Sequence, residues 1–177
     1  MSTKISQIIT PIVNSKKCLA CKGCCIFYNP NEEKIAPVFT TREIQRIETP
    51  KRKLIEKRID GFFQAKLIRC VLSEFKKCVF LEEGSHACQI YDNRPLDCEL
   101  WPFVLGYDRK DKSISLWVVS SEMCPAVETT DITPDLVDQL ISLLGERGVI
   151  EEITKDKRYV WGYEPYHIFL RKLISDQ

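Results

Sequence analysis

A short run near the start of the chain holds the residues with the most distinctive chemistry. Cys18, Cys21, Cys24 and Cys25 place four thiols within eight residues. Cys-x-x-Cys is a common metal-binding spacing, because two intervening residues let both sulfur atoms face one ion. Thiolates are soft, anionic ligands, and a bound metal compensates the charge of several thiolates held close together. The run therefore predicts a metal centre.

More cysteines follow in short loops and extend the predicted ligand set. Cys78, Cys88 and Cys98 are spaced at ten-residue intervals beside apolar or aromatic residues, which suits loops that deliver ligands to one point. Cys124 follows a predicted hairpin and precedes Pro125. We therefore predict eight metal ligands, namely Cys18, Cys21, Cys24, Cys25, Cys78, Cys88, Cys98 and Cys124. The ninth cysteine, Cys70, stands in an apolar, strand-like segment, and we predict that it belongs to the core.

Composition and charge exclude several classes of partner. The 177 residues carry 26 basic and 25 acidic side chains, so the chain lacks the strong positive charge typical of a nucleic-acid binder. The first apolar run, residues 8–13, is interrupted by Pro11 and does not look like a secretory signal. No run approaches the roughly 18 apolar residues of a membrane span. We expect a cytoplasmic protein without nucleic-acid or membrane partners, whose reduced cysteines bind metal rather than form disulfides. A secreted disulfide protein stays open as an alternative.

The elements that must hold these cysteines predict an α+β fold. We expect a lead-in over residues 1–17, loosely ordered, and one small domain over residues 18–177, with a loop-rich cysteine centre flanked by short helices and a β-hairpin. Thr40 and Glu43 form a capping-box pattern at the start of a short helix that ends at Thr49-Pro50. Residues 51–60 predict a second helix, and residues 62–72 predict a strand.

The second half of the chain carries clearer signals. Residues 103–107 and 113–120 read as two strands joined by a charged turn, which predicts a hairpin. Thr133-Pro134-Asp135 opens a helix, with threonine as N-cap and proline at the first position, and Gly148 ends it. We predict a closing helix after Pro165 that contains His167, and a core role for the aromatic residues of 159–166.

The spacing of the cysteines bears on which metal is bound. Cys18-x-x-Cys21-x-x-Cys24 matches the first part of the bacterial ferredoxin pattern, and Cys124-Pro125 matches its final Cys-Pro. Cys25 departs from that pattern, and generic Cys-x-x-Cys pairs also suit zinc. The sequence favours an iron–sulfur cluster of the 4Fe–4S type, with zinc as the alternative.

Several blocks together resemble a known family. Cys78-x-Phe80-Leu81, Cys88-x-Ile90-Tyr91 and Arg94-Pro95-x-x-Cys98 follow the early run of cysteines. Over about residues 18–103 the chain resembles the CxxCxxCC family of zinc- or iron-chelating proteins, also called YkgJ-like. Glu99 stands where that family commonly has arginine. The family includes relatives of flagellin lysine N-methylase, so the resemblance implies metal chelation and permits methyl transfer.

Three functions follow as hypotheses, with no catalytic or cofactor-binding residue identified. The first is a metal-binding cysteine cluster protein that carries an iron–sulfur cluster. The second is a protein lysine methyltransferase-like enzyme using S-adenosylmethionine, although the chain has no glycine-rich nucleotide loop after a strand. The third is a zinc-stapled adaptor for an unknown protein partner. Nearby cations could compensate thiolate charge, and those we predict for this role are Lys16, Lys17, Lys22, Lys76 and Lys77. Arg94 is predicted to donate hydrogen bonds to sulfur, an aspartate or a carbonyl.

Overall fold

The protein has the predicted mixed α+β fold. A computed structural model describes residues 5–21, 23–27, 36–57, 63–70, 74–82, 84–108, 112–155 and 167–175. The chain divides into two compact units: unit 1 comprises residues 1–18 and 100–177, and unit 2 comprises residues 19–99. A single domain over residues 18–177 stays a prediction, because two compact units can belong to one domain or to two.

The described residues form short helices and three small sheets. The helices are α1 (Ile5–Ile9), α2 (Ser15–Cys21), α3 (Thr41–Arg46), α4 (Thr49–Arg52), α5 (Leu96–Leu100), α6 (Pro134–Glu146) and α7 (Val149–Lys155). The strands are β1 (Ile26–Phe27), β2 (Val38–Phe39), β3 (Ile55–Lys57), β4 (Phe63–Ala65), β5 (Leu67–Arg69), β6 (Lys76–Cys78), β7 (Phe103–Asp108), β8 (Ser113–Val119) and β9 (His167–Ser175). At 13 residues, α6 is the longest helix in the described part of the chain, and none there has the length and apolar character to cross a membrane.

Unit 1 is built on the predicted hairpin. Strands β7 and β8 pair antiparallel from Phe103↔Val118 to Asp108↔Ser113, and β9 pairs antiparallel with the other edge of β8. Helix α6 begins as predicted, since the Thr133 side chain accepts a hydrogen bond from the Leu136 N–H at 3.2 Å. It ends just before Gly148, whose positive φ of 69° is readily adopted by glycine. The hairpin and the α6 predictions are confirmed.

Two predictions for unit 1 are wrong. The predicted loose lead-in contains α1, whose Ile5, Ile8 and Ile9 are buried and which contacts α6. Burial of these isoleucines removes apolar surface from water, whereas a loosely ordered segment would leave that surface exposed. The predicted closing helix is strand β9, which contains His167. Pairing satisfies the backbone N–H and C=O groups along the edge of β8, a non-local demand that overrides local helix propensity.

Unit 2 has a small core and very short strands. Its two sheets have the orders β1-β6-β5 and β2-β4-β3. The core contains apolar side chains from both sheets and the intervening loops, and Cys78 is one of its buried members: Phe27, Ala36, Phe39, Ile47, Ala65, Cys78, Phe80 and Ile90. The Phe39 and Phe80 rings meet edge to face, with centroids 6.3 Å apart. Strands of two or three residues supply few ladder hydrogen bonds, so this unit depends on side-chain packing.

Unit 2 confirms one local prediction and corrects two. The capping box of α3 is present, because the Thr40 hydroxyl accepts from the Glu43 N–H and the Glu43 carboxylate accepts from the Thr40 N–H. The predicted helix over 51–60 is wrong beyond Arg52, where α4 ends, because residues 55–57 form β3 and pair with β4; residues 58–60 lie outside the described part of the chain. The described residues of the predicted strand over 62–72, which are residues 63–70, include two strands in different sheets, because β4 joins β3 while β5 joins β6.

Candidate metal centre

Unit 2 brings the double cysteine of the early run to the end of a strand. Gly23–Cys25 form one turn of 3-10 helix, and β1 follows at once. Strand β1 pairs with β6 in the register Ile26↔Lys77 and Phe27↔Lys76. Continued by one residue, this antiparallel register carries Cys25 to the level of Cys78.

A tight loop presents Cys88 close to the end of the same strand. Leu81 and Cys88 form an isolated antiparallel bridge, and the Gln89 N–H donates to the Phe80 carbonyl at 2.9 Å. His86 lies in the loop between Leu81 and Cys88 and has a positive φ of 59°. This geometry suits a turn histidine, since the left-handed region is typical of tight turns.

Cys98 lies on a helix of little more than one turn. Helix α5 follows the buried Pro95 and carries Cys98. The Glu99 N–H donates to the Pro95 carbonyl at 2.9 Å. A helix this short is not stable alone, so its tertiary contacts decide where Cys98 lies.

These thiols act on one another. The pKa of Cys24 lies well above its usual range, chiefly because of its hydrogen bond with Cys25, whose Sγ is 4.0 Å away. Burial raises the pKa of Cys78 to about 11, with smaller contributions from Cys88 and Cys24. Burial likewise raises the pKa of Cys88. We call Cys24, Cys25, Cys78, Cys88 and Cys98 the thiol group.

Cys98 completes the group and has acidic as well as thiol neighbours. Burial raises its pKa well above the usual range, and the negative charges of Asp97, Cys78, Cys24 and Cys88 raise it further. A metal ion favours the thiolate form, so metal binding would reverse these shifts and release protons.

Two cations face the thiol group. Arg94 lowers the pKa of Cys24 and of Cys88, although the raising effects are larger, and Lys51 lowers the pKa of Cys88. Arg94 donates through Nε to the Tyr91 carbonyl at 3.1 Å, and its guanidinium lies 3.8 Å from the centroid of the Tyr91 ring. The predicted bond from Arg94 to a carbonyl is thus present. Nothing in the sequence distinguishes Lys51 from the other lysines of the chain.

Two of the lysines singled out in the sequence, Lys17 and Lys77, contact groups other than thiols. The Nζ of Lys17 lies 2.9 Å from a Glu128 carboxylate oxygen. Lys77 is buried, and its ammonium donates to the Leu81 carbonyl at 3.2 Å. Lys22 lies outside the described residues. Charge compensation near the thiol group is therefore visible for Arg94 and Lys51.

Cys21 ends α2 and packs against the turn that follows. A Cβ added to Gly23 would lie 3.2 Å from the Cys21 Sγ, which is a tight contact. Glycine at this position lets the backbone approach the sulfur atom closely. Cys21 is exposed.

Cys18 and Cys124 both belong to unit 1. Residues 12–14 run antiparallel to residues 126–128: Val13 bridges Val127, the Asn14 N–H donates to the Ala126 carbonyl, and the Glu128 N–H donates to the Ile12 carbonyl. This pairing holds the segment that leads into Cys18 beside the segment that follows Cys124. Cys18 is exposed and Cys124 is buried.

None of the nine cysteines, all of which the structure describes, forms a disulfide, and Cys70 is half-buried rather than fully in the core. Among the residues that the structure describes, no three His, Cys, Asp or Glu side chains form a ready-made site for a single ion. The predicted ligand set therefore stays a prediction. The donors of the thiol group nevertheless suit soft metal centres, because thiolates select zinc and iron–sulfur clusters over hard cations.

Comparison with known proteins gives one match. A family model named CxxCxxCC and described as "Putative zinc- or iron-chelating domain" matches residues 17–125. No curated protein and no solved structure matches the chain. The matched residues cover more than half of the chain and include every cysteine. The chain belongs to the CxxCxxCC family.

Proposed function

We propose that this protein binds an iron–sulfur cluster through the thiol group of unit 2, with Cys24, Cys78, Cys88 and Cys98 as ligands. The observation that carries the proposal is that Cys24 raises the pKa of Cys78, Cys88 and Cys98, and that Cys78 and Cys88 also raise the pKa of Cys98, although the four come from separate stretches of the chain. Cys78 is buried and Cys88 and Cys98 are half-buried, and thiols held together in this way without a metal are costly to ionise. A metal core removes that cost. When bound, such a cluster would supply electron transfer or structural support.

The surroundings support an anionic metal centre. Four thiolates around a divalent core leave a net negative charge, and the Arg94 and Lys51 charges would compensate it. The apolar core that includes Phe80 and Ile90 packs against Cys88 and Cys25. Apolar surroundings restrict solvent access, which is one of the factors that set the potential of a cluster.

Zinc is the second candidate, and one distance favours it. Tetrahedral zinc with Zn–S bonds of about 2.3 Å places its sulfur ligands roughly 3.8 Å apart. The Sγ atoms of Cys24 and Cys25 are 4.0 Å apart, which is close to that spacing. A zinc site would therefore use Cys25 as a ligand, whereas the proposed cluster leaves Cys25 free.

The two candidates predict different behaviour on substitution. After anaerobic purification, iron, acid-labile sulfide and zinc are measured by elemental analysis and visible absorption. We expect iron and sulfide in the wild-type protein, and a loss of metal of more than about tenfold for serine at Cys24, Cys78, Cys88 or Cys98. Cys25→Ser should keep the cluster, but it would lose zinc.

Cys70→Ser is the matched control, since Cys70 is a half-buried thiol of the same unit outside the thiol group. It should retain full metal content. Metal retained after Cys88→Ser and Cys98→Ser would contradict the ligand assignment. A colourless protein with stoichiometric zinc, lost on Cys25→Ser, would replace the cluster with the second candidate.

The other hypotheses from the sequence keep their own tests. Calorimetry with S-adenosylmethionine decides the methyltransferase hypothesis, and capture of a defined protein partner by the zinc-loaded protein decides the adaptor hypothesis. A reducing, cytoplasmic location, which the composition predicts, would keep the thiols available to a metal.

A further inference from the structure

The carboxylate of Glu43 links two segments of unit 2 that are far apart in the chain. One oxygen, Oε2, accepts from the Thr40 N–H at 2.8 Å and completes the capping box of α3. The other, Oε1, accepts from the Leu96 N–H at 2.7 Å, across 53 residues. Both bonds are to an ionised acceptor, and such bonds are stronger than neutral ones. The sequence predicts the first bond and gives no sign of the second.

The second bond acts on the element that carries Cys98. Leu96 is the first residue of α5, and the first N–H groups of a helix have no partner within it. With only five residues, α5 has little internal support. The bond to Glu43 therefore fixes the start of α5, two residues before Cys98.

Lys51 makes an equivalent contact to the Cys88 loop. Its Nζ donates to the carbonyl of Gln89 at 3.1 Å and lies 3.3 Å from the Glu48 carboxylate. Gln89 directly follows Cys88. Residues 41–52, which form α3 and α4, therefore contact both the Cys88 loop and the Cys98 helix, and they do so through side chains of opposite charge.

We propose that residues 41–52 are a positioning bracket for the metal centre, in which Glu43 positions the thiol of Cys98 and Lys51 positions the thiol of Cys88. This inference rests on the proposed function, because it assigns a role toward the same thiols. Neither residue is a ligand. Each holds the backbone beside a ligand, so its loss should weaken metal binding more than it weakens the fold.

The test compares variants of the full chain that differ in which hydrogen bond they remove. Glu43→Ala removes both bonds. Thr40→Ala removes only the hydroxyl that caps α3 and leaves Glu43 bonded to Leu96. Glu43→Gln keeps one oxygen that can accept from the Leu96 N–H. Lys51→Met removes the contact to Gln89, and Lys53→Met is its charge-matched control at a neighbouring exposed position.

Two quantities are measured for each variant: metal affinity and the thermal midpoint of the metal-free protein. Affinity is measured by chelator competition with Zn²⁺ and, separately, by anaerobic reconstitution with iron and sulfide followed by visible absorption. We expect Glu43→Ala to lose about 10- to 100-fold in affinity and Lys51→Met about tenfold. Glu43→Gln should recover part of the loss. Thr40→Ala should lower the thermal midpoint while affinity stays within about twofold, and Lys53→Met should change neither.

Each other outcome overturns the inference. If Thr40→Ala loses as much affinity as Glu43→Ala, Glu43 acts through the stability of α3 alone. If the wild-type protein binds metal, and Glu43→Ala and Lys51→Met bind it with the same affinity, the bracket has no role and the proposed function stands. If the wild-type protein binds neither probe, the proposed function fails and this inference fails with it.

Discussion

The two units of this chain are stabilised in different ways. Unit 1 has a continuous hairpin of six paired positions, a third strand of nine residues and a 13-residue helix that buries Val137, Leu140, Leu143 and Leu144. Unit 2 has strands of two or three residues, and the buried side chains of its core include a cysteine. Regular ladders and a buried helix face stabilise unit 1 without any ligand. Unit 2 has fewer such contributions.

The difference shows how a metal centre and a fold can depend on each other. The thiols that we propose as ligands lie on a 3-10 turn, a strand end, a tight loop and a short helix. Such connections approach one point from several directions, which long strands and helices do not readily do. They also form few backbone hydrogen bonds of their own. If the proposed centre is present, we expect unit 2 to depend on the metal for part of its stability.

Withdrawal of the metal should affect the two units unequally, and this is the largest effect we expect. Binding contributes on the order of 10 kcal/mol in structural zinc sites, and that free energy stabilises the folded state. After anaerobic chelation, backbone amides of β4, β5 and β6 should exchange with deuterium faster by orders of magnitude. Amides of β7 and β8 should keep their protection. Equal loss of protection in both units would contradict the comparison.

Truncating one core side chain in each unit should separate stability from metal binding. Phe80 and Leu140 are 1% and 0% exposed. Phe80→Ala should lower the free energy of unfolding by about 3–5 kcal/mol and Leu140→Ala by about 2–5 kcal/mol, because a cavity replaces the buried side chain. Phe80→Ala should also reduce metal content, since Cys25 and Cys88 pack against the apolar core that contains the Phe80 side chain. Leu140→Ala should lower the unfolding temperature but keep the full metal content. A Leu140→Ala protein that is purified without metal would contradict this prediction.

Alkaline pH should destabilise the metal-free protein through unit 2. The pKa of Cys78 is raised from 9.0 to about 11, so the folded state keeps a proton that the unfolded chain releases. The stability due to this thiol is fully present below pH 9 and is lost as pH rises to about 11, a change on the order of 2–3 kcal/mol. Urea unfolding followed by circular dichroism at pH 8–11 measures it.

The matched variant Cys78→Ser isolates this thiol from lysine and tyrosine groups that titrate in the same range. Wild-type and variant proteins should diverge in their pH dependence between pH 9 and 11. Parallel curves would show that Cys78 ionises in the folded state as it does in the unfolded chain. The metal-loaded wild-type protein should lack this loss, because a coordinated thiolate has no proton to release.

Local signals in the sequence were sufficient for some elements and for the chemistry. The spacing of the early cysteines indicates a metal centre, and the family match agrees with it. The capping box at Thr40 and the start of α6 at Thr133 depend on residues three positions apart. The β7–β8 hairpin is likewise formed between neighbours in the chain. Short-range hydrogen bonds of this kind can be predicted from residue type and order alone.

Contacts between distant residues were decided by the tertiary structure. Strand β9 pairs with β8 across more than 40 residues, and β3 pairs with β4 where the local pattern favoured a helix. The same holds for the grouping of Cys24 with Cys98 and for the bond from Glu43 to Leu96. These contacts form because backbone groups and charges must find partners once the core has packed. That requirement depends on the whole fold, and no short stretch of sequence specifies it.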